Sequence, residues 1–572
     1  MNAFPTSLLR SGLAAAALGS LMLATSSATP GGGGQVPLPS SSSVQQLGTR
    51  RCRPALPLPP ADPSIDQDWS CYYWGYYLWN DGSGSGNVEG RVYWPDSCDG
   101  DTAPDSELQL PLVLLMHGDG HQFTDYHYLV RHLAFNGFIV ATINNSGSNA
   151  ERAAQAKTFL DFLRDHWQYK DWVDEDNVGL IGHSRGGEAA LTVARLNADL
   201  NWGYDVNAIV SLAPTDNQEG GGVHESIEGS HSEAFLGIYG THDEDVTGYC
   251  MSGGLPGCGA PLVSARGSAF SLYDRAGGEG STEPFPLYDA VVDKALVYIE
   301  GANHNGWRET CGGFPPPGVL SCNTHKELAK GYTNAFLRWH LRNQDVYERY
   351  FNGDFRLPIA NIEDIDVHKS YSKGYDRRVV DNFEQPGFLT NTIGGLNVKE
   401  VSVTIEKDGS TWDYDPTSPH DTRSATISWG AGGFLPFIRM GIPDNGTFNG
   451  GRYRDVTRYD YLSLRAGQLH GSVHNTPGQD KDFYVRLRDS SGGVSPLVQV
   501  SDYARLVYPD LVQVIKFNQP LLVTSSPMKT VRIPMCRFGG VDLQNVSSVE
   551  FLFSVTGSAS GELFLDNVEF TD

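Results

Sequence analysis

The chain has 572 residues, of which 40% are hydrophobic and 19% charged, and its formal net charge is −25. That length is too great for one ordinary domain and predicts two folded units plus appendages. A carboxylate excess spread without long acidic runs argues against nucleic acid or an anionic membrane surface as a partner.

Residues 1–28 read as a secretory signal, with Arg10 near the start, an apolar stretch from Leu13 to Ala24, and small residues Ser26 and Ala28. The apolar stretch is well short of the roughly 20 residues that a membrane span needs. Secretion, to the cell exterior or a periplasm, is the expectation. Residues 29–65 are rich in Gly, Pro and Ser and cannot bury a core, so they read as a flexible leader. An oxidising compartment suits the eight cysteines, Cys52, Cys71, Cys98, Cys250, Cys258, Cys311, Cys322 and Cys536. No CxxC pair is present, which speaks for disulfides over metal. Many pairings are open. Cys250/Cys258 and Cys311/Cys322 are the expected local loops, and Cys71/Cys98 bracket a hairpin.

Residues 66–370 read as an α/β unit. The aromatic run Tyr72–Trp79 and the segment Gly90–Pro95 are the expected first two strands, with the aromatic cluster as a half-buried strand face. Apolar runs at 112–116, 138–143, 178–181, 208–212, 234–239 and 295–299 predict strands. Helical patterns fall between them at 125–135, 151–167 and 188–196, and a last one covers 325–340. Continuous apolar strands alternating with helices imply a mostly parallel sheet covered on both faces, with its active site at the strands' carboxyl ends.

Between the run 178–181 and the helix from Glu188 sits Gly182-His-Ser184-Arg-Gly186. A serine on a sharp strand-to-helix turn needs small residues two before and two after it, so that the turn closes and Oγ stands clear. An acid and then a histidine should come after it in chain order. The strand 234–239 runs into Gly240-Thr-His-Asp243, making Asp243 the first candidate for the acid and Asp245 the second. The strand 295–299 runs into Gly301-Ala-Asn-His304, making His304 the base. An oxyanion hole needs two donors. The N–H of Arg185 comes directly after the serine, and that of Asp119 lies in the loop His117-Gly118-Asp119-Gly120. His183 and His242 are expected to line the cleft, whereas His340 reads as an ordinary helix residue.

Residues 70–350 thus resemble the α/β-hydrolase fold, through HGDG, GHSRGG, GTHD and GANH in family order. Within it they are similar to chlorophyllase-like, dienelactone-hydrolase-like and cutinase-like polyester hydrolases. The resemblance implies carboxylic ester cleavage without a cofactor, with Ser184 as nucleophile, Asp243 as acid and His304 as base. The cysteine-bearing loops after the acid and the base depart from a minimal family member and would rim the cleft.

A composition shift near Tyr371 to Val379 marks a boundary, after which short β-like runs between turn residues indicate a β-sandwich over residues 379–572. Val380–Glu384 and Gly561–Phe570 resemble the first and last strands of galactose-binding-like jelly rolls. That resemblance implies carbohydrate binding and, as in several relatives, a structural calcium with Asp381, Glu384 and Asp566 as candidate oxygen donors; ordinary strand-end carboxylates are the alternative. Trp412, Tyr414 and Trp429 are of the kind that stacks on sugars or fills a sandwich core. The expected molecule is a monomeric, secreted serine esterase. Its C-terminal unit would tether it to a polymer. A peptidase or amidase with the same triad, and a non-catalytic polysaccharide-binding protein on this scaffold, are the alternatives.

Overall fold

The computed structural model describes residues 61–572 apart from short internal stretches, the longest being 99–108, 216–232, 251–267, 277–291 and 407–419. The expected signal and most of the leader lie outside the described residues, as do Cys52, Cys258, Trp412 and Tyr414. The described end of the leader is fixed, contrary to its composition. The Pro63 carbonyl accepts hydrogen bonds from His132 Nε2 and Asn334 Nδ2, each at 2.9 Å. Asp68 is paired with Arg338 and Arg342. Those partners come from distant helices, so no local pattern announces them.

Strands β1 (Cys71–Trp79) and β2 (Val88–Asp96) form an antiparallel hairpin bridged by the Cys71–Cys98 disulfide. The aromatic run is a half-buried strand face, with Tyr77 and Trp79 both packing on Phe162. Next are β3 (Leu110–Met116), α1 (His127–Phe135), β4 (Ile139–Ile143), α2 (Asn149–Asp165), β5 (Val173–His183) and α3 (Arg185–Leu200). After them come β6 (Val206–Leu212), β7 (Ala234–Gly240), β8 (Tyr249–Cys250) and α4 (Ser268–Arg275). The series ends with β9 (Lys294–Ile299), α5 (Cys322–Arg342) and β10 (Val367–Ser372). Nine of the strands make one sheet in the order β1-β2-β4-β3-β5-β6-β7-β9-β10. The run from β4 to β9 is parallel.

The reason is visible in the residues. β3, β4, β7 and β9 are buried along their whole length, as strands covered on both faces must be. α2 packs against α3 and α1 against α5. The start of α2 is set by a capping box in which Ser148 Oγ accepts from Glu151 N–H and Glu151 accepts from Ser148 N–H. Two elements differ from expectation. β5 begins at Val173, five residues before the apolar run, with Glu175 and Asp176 exposed in its amino-terminal half, so no apolar pattern marks its start. β10 has no apolar run, yet it pairs antiparallel with β9 and closes the sheet.

Past Ser372 the described elements are mainly strands. They are β11 (Arg377–Asp381), β12 (Asn397–Lys399), β13 (Val403–Glu406), β14 (Ala425–Trp429), β15 (Phe437–Gly441), β16 (Thr447–Phe448) and β17 (Gly451–Arg452). Next come β18 (Tyr461–Gln468), β19 (Phe483–Asp489), β20 (Val498–Gln499), β21 (Val512–Lys516) and β22 (Gln519–Thr524). The last are β23 (Lys529–Pro534), β24 (Val546–Phe553) and β25 (Gly561–Thr571). One sheet runs β13-β14-β25-β18-β23 with β11 on β25, and another runs β12-β15-β24-β19-β20. Their alternating apolar residues share one core, separate from the core of the nine-stranded sheet. The first and last strands of this unit, β11 and β25, are neighbours.

The two units meet through a buried polar cluster. Asp274 of α4 accepts from Arg465 Nη2 of β18 at 3.0 Å, and His420 Nδ1 lies 3.0 Å from Asp274 Oδ2. Arg465 Nη1 also donates to Asp566 of β25 at 3.2 Å. All four side chains are buried. The Met528 N–H donates to His420 Nε2 at 3.1 Å, so that nitrogen is a lone pair and Nδ1–H faces Asp274. Burial pushes the Asp274 carboxyl up, but His420 and Arg465 outweigh it and the net direction is down. A buried cluster of this kind contributes little net stability while intact, and losing one member strands the others without water. Arg465→Met is therefore expected to cost about 3–5 kcal/mol, read as a lowered midpoint of chemical denaturation.

Candidate active site

β5 ends at His183 and α3 begins at Arg185, so the whole change of direction falls on Ser184. Ser184 has φ 54 and ψ −125, a strained backbone for a residue with a side chain. The flanking glycines are needed for close approach. A Cβ on Gly182 would lie 2.0 Å from the Gly186 carbonyl oxygen, and one on Gly186 would lie 2.3 Å from that of Met116.

The three residues expected to act together are brought together. His304 Nε2 lies 3.0 Å from Ser184 Oγ, and His304 Nδ1 lies 3.0 Å from Asp243 Oδ2. Asp243 rather than Asp245 holds Nδ1. Its side chain is 1% exposed, whereas that of Asp245 is 64% exposed and lies 3.7 Å from Nε2. The other Asp243 oxygen accepts from the backbone N–H groups of Asp245 at 3.0 Å and Val246 at 2.7 Å. Burial opposes a charged His304, but the charge and hydrogen bond of Asp243 outweigh it, and the imidazole rises above its ordinary value of 6.5.

Residues 111–243 match the family model for the alpha/beta hydrolase fold. The mostly parallel nine-stranded sheet and this match support the α/β-hydrolase fold for the first unit. No curated protein matches the chain.

Behind Ser184, Asp243 and His304 lies a buried hydrogen-bond network that the sequence did not announce. His183 is not in the cleft but buried beneath it. A carbonyl only accepts, so His183 Nε2–H donates to the His304 carbonyl at 3.0 Å. Burial, with His304 and His121 beside it, holds His183 well below the usual imidazole range, so its Nδ1 is a lone pair. The Tyr126 hydroxyl therefore donates to that nitrogen at 2.7 Å. The phenol oxygen then accepts from His121 Nδ1–H at 2.9 Å and from Gly118 N–H at 3.4 Å. His121 stacks on His183 at 5.2 Å and is pushed down to about 4, chiefly by burial. Glu244 closes the other side, its carboxylate accepting the His304 N–H at 3.2 Å.

The loop after β3, expected to supply an oxyanion donor, is equally well held. His117 Nδ1–H donates to the Gly118 carbonyl at 2.7 Å, and its Nε2 accepts from Asn145 N–H at 3.1 Å. Buried Arg152 of α2 donates to the His117 carbonyl at 3.1 Å and reaches Asp119 Oδ1 at 3.5 Å. The Asp119 carboxylate, 69% exposed, is thus drawn to Arg152. A Cβ on Gly118 would come within 3.0 Å of Ser184 Cβ, so the next residue, Asp119, comes directly after a contact with the serine. Arg185, the first residue of α3, presents its N–H at a helix N-terminus.

Other expectations fall elsewhere. His242 bonds Thr241 Oγ1 at 2.9 Å and lines a cavity of about 280 Å³ between the two units, behind Asp243. His340, half-buried, packs on Phe336 and Trp339 and is pushed down to about 3 by burial. Trp429 is buried against Phe553 and offers no sugar platform. The three carboxylates expected around calcium are not gathered. Asp381 accepts from Asn397 Nδ2, Glu384 from Arg423 N–H, and Asp566 pairs with Arg465. Among the described residues they form no group within metal-ligand reach. Cys311 and Cys322 are bonded, tying the segment after His304 to the start of α5.

The His304 imidazole should titrate above 6.5 by NMR, because its charged form is favoured by Asp243. Asp243→Asn removes that charge, leaves the burial, and should move the titration below 6.5.

Proposed function

We propose that the protein is a secreted serine hydrolase that cleaves carboxylic esters through an acyl-enzyme. The observation that carries this reading is the unbroken line from Ser184 Oγ through His304 to Asp243, set on a strained turn at the carboxyl end of β5. Ser184 Oγ attacks the ester carbonyl while His304 Nε2 takes its proton. The N–H groups of Asp119 and Arg185 stabilise the negative oxygen of the tetrahedral intermediate. The C–O bond breaks, and the alcohol leaves with the proton from His304. Water repeats the cycle on the acyl-enzyme and releases the acid. Asp243 keeps Nδ1–H oriented and stabilises the imidazolium.

Secretion is supported by the Cys71–Cys98 and Cys311–Cys322 disulfides, which persist in oxidising compartments. The C-terminal unit reads as a galactose-binding-like jelly roll, supported by its two antiparallel sheets and by the pairing of its first and last strands. Polymer binding through that unit is part of the proposal.

A fluorophosphonate probe is expected to label the wild-type protein at Ser184, and Ser184→Ala should lose labelling and ester turnover while retaining its thermal melt. Asp243→Asn should lower kcat by about 10⁴. Hydrolysis of p-nitrophenyl esters against peptide anilides separates esterase from amidase. Appreciable ester turnover by Ser184→Ala would overturn the assignment.

A further inference from the structure

We infer that the C-terminal unit is the positioning element for Asp243, with β22 and the segment Thr524–Thr530 holding the loop that carries the acid. This rests on Asp243 acting as the partner of His304. The C-terminal unit is then part of the catalytic apparatus as well as an appended binding module.

Residues 240–246, from the end of β7 onward, are held by close contacts of their own. Gly240 abuts the Ala302 carbonyl so closely that a Cβ would lie 2.0 Å from its oxygen. Asp243 Oδ1 accepts two backbone N–H groups of its own loop, at 3.0 and 2.7 Å. The carboxylate therefore goes wherever the loop backbone goes. Gly240, Thr241, His242 and Asp243 line the cavity of about 280 Å³ together with Tyr508 and Thr524 of the other unit.

The far end of the loop is held from the other unit. β8 pairs antiparallel with β22, Tyr249 opposite Thr524 and Cys250 opposite Val523. β22 also pairs with β21, so these three strands are a sheet to which the two units contribute. The chain leaving β22 is fastened back to the nine-stranded unit. Ser525 hydrogen-bonds the buried Tyr298 of β9. The Met528 carbonyl accepts from Ser370 Oγ of β10 at 2.6 Å, and Thr530 Oγ1 accepts from Tyr371 N–H at 2.8 Å. The Met528 N–H is taken by His420 of the buried Asp274–Arg465 cluster. The loop is thus tethered at its start by β7 and at its end by a segment locked to β9, β10 and α4. The His304–Asp243 bond of 3.0 Å has little slack. A displacement of about 1 Å takes it beyond hydrogen-bond range and costs catalysis on the order of a hundredfold.

The test uses the full chain. Thr524→Pro places in β22, opposite Tyr249, a residue that can donate no ladder bond. The expected result is a kcat lowered about a hundredfold with KM unchanged. The acid limb of kcat/KM should also move to lower pH, because His304 loses the Asp243 interaction that raises it. In an Asp243→Asn background the same substitution should cost nothing further. Val398→Pro, in exposed β12 at the far edge of the other sheet, is the control and should leave kcat and the pH limb alone. A folded Thr524→Pro protein with wild-type kcat and acid limb would overturn the inference, as would a Val398→Pro variant showing the same losses. Should Thr524→Pro not fold, the pair Ser525→Ala and Lys529→Ala loosens the same segment and is read by the same quantities. Ester turnover by Ser184→Ala would instead remove the underlying assignment, whatever the Thr524 variant does.

Discussion

The structure depends on one close approach. β5 must reverse into α3 within a single residue, and this works only because the backbone of Gly186 touches those of Met116 and Gly182. That contact forces Ser184 to a positive φ and leaves its Oγ exposed to His304. It also locks the ends of β3 and β5 together, which brings Gly118 against the serine. Backbone strain at Ser184 persists because strands packed on both sides over-determine it. The cost is met by the same buried core that stabilises the sheet.

Around the elbow, charge and proton position are settled by burial. His183 and Tyr126 are both buried, and both are held in their neutral forms. Because each is neutral, each hydrogen bond in the network has one direction, from His121 through Tyr126 and His183 to the His304 carbonyl. One chain of hydrogen bonds thus links the loop at Gly118, the turn at Ser184 and the backbone of His304. His304 is the contrary case, since Asp243 outweighs its burial. Two buried imidazoles with ring centroids 4.9 Å apart are driven in opposite directions, His183 down by burial and His304 up by Asp243.

The acid side is organised by a different interaction, the seam between units. Its buried carboxylate–guanidinium–imidazole cluster is weak evidence for stability but strong for a specific docking geometry, since any other arrangement strands buried charge. A molecule whose second unit served only as a tether would need no such cluster, nor a strand shared with the acid loop.

The strand and helix order of the first unit was legible because covered parallel strands need continuous apolar runs, and β3, β4, β6, β7 and β9 have them. β10 was illegible because its pairing with β9 rests on main-chain bonds, with the mixed sequence Val-His-Lys-Ser-Tyr-Ser. The leader's end at Pro63 was misread for a similar reason, because its hydrogen bonds come from residues far along the chain. Trp429 shows the limit of composition, since a tryptophan that could face a ligand faces Phe553. Local chemistry was therefore determined by the sequence itself: Gly-x-Ser-x-Gly demands a tight turn, and Asp243 and His304 sit after strand ends in the order that turn requires. Tertiary structure alone decided what is relational. It chose Asp243 over Asp245, buried His183 beneath the site, scattered Asp381, Glu384 and Asp566, and laid β22 along the acid loop. The physical reason is range. Turn geometry and strand pattern act over a few residues, whereas burial and hydrogen-bond partnership depend on which distant segments the fold brings together.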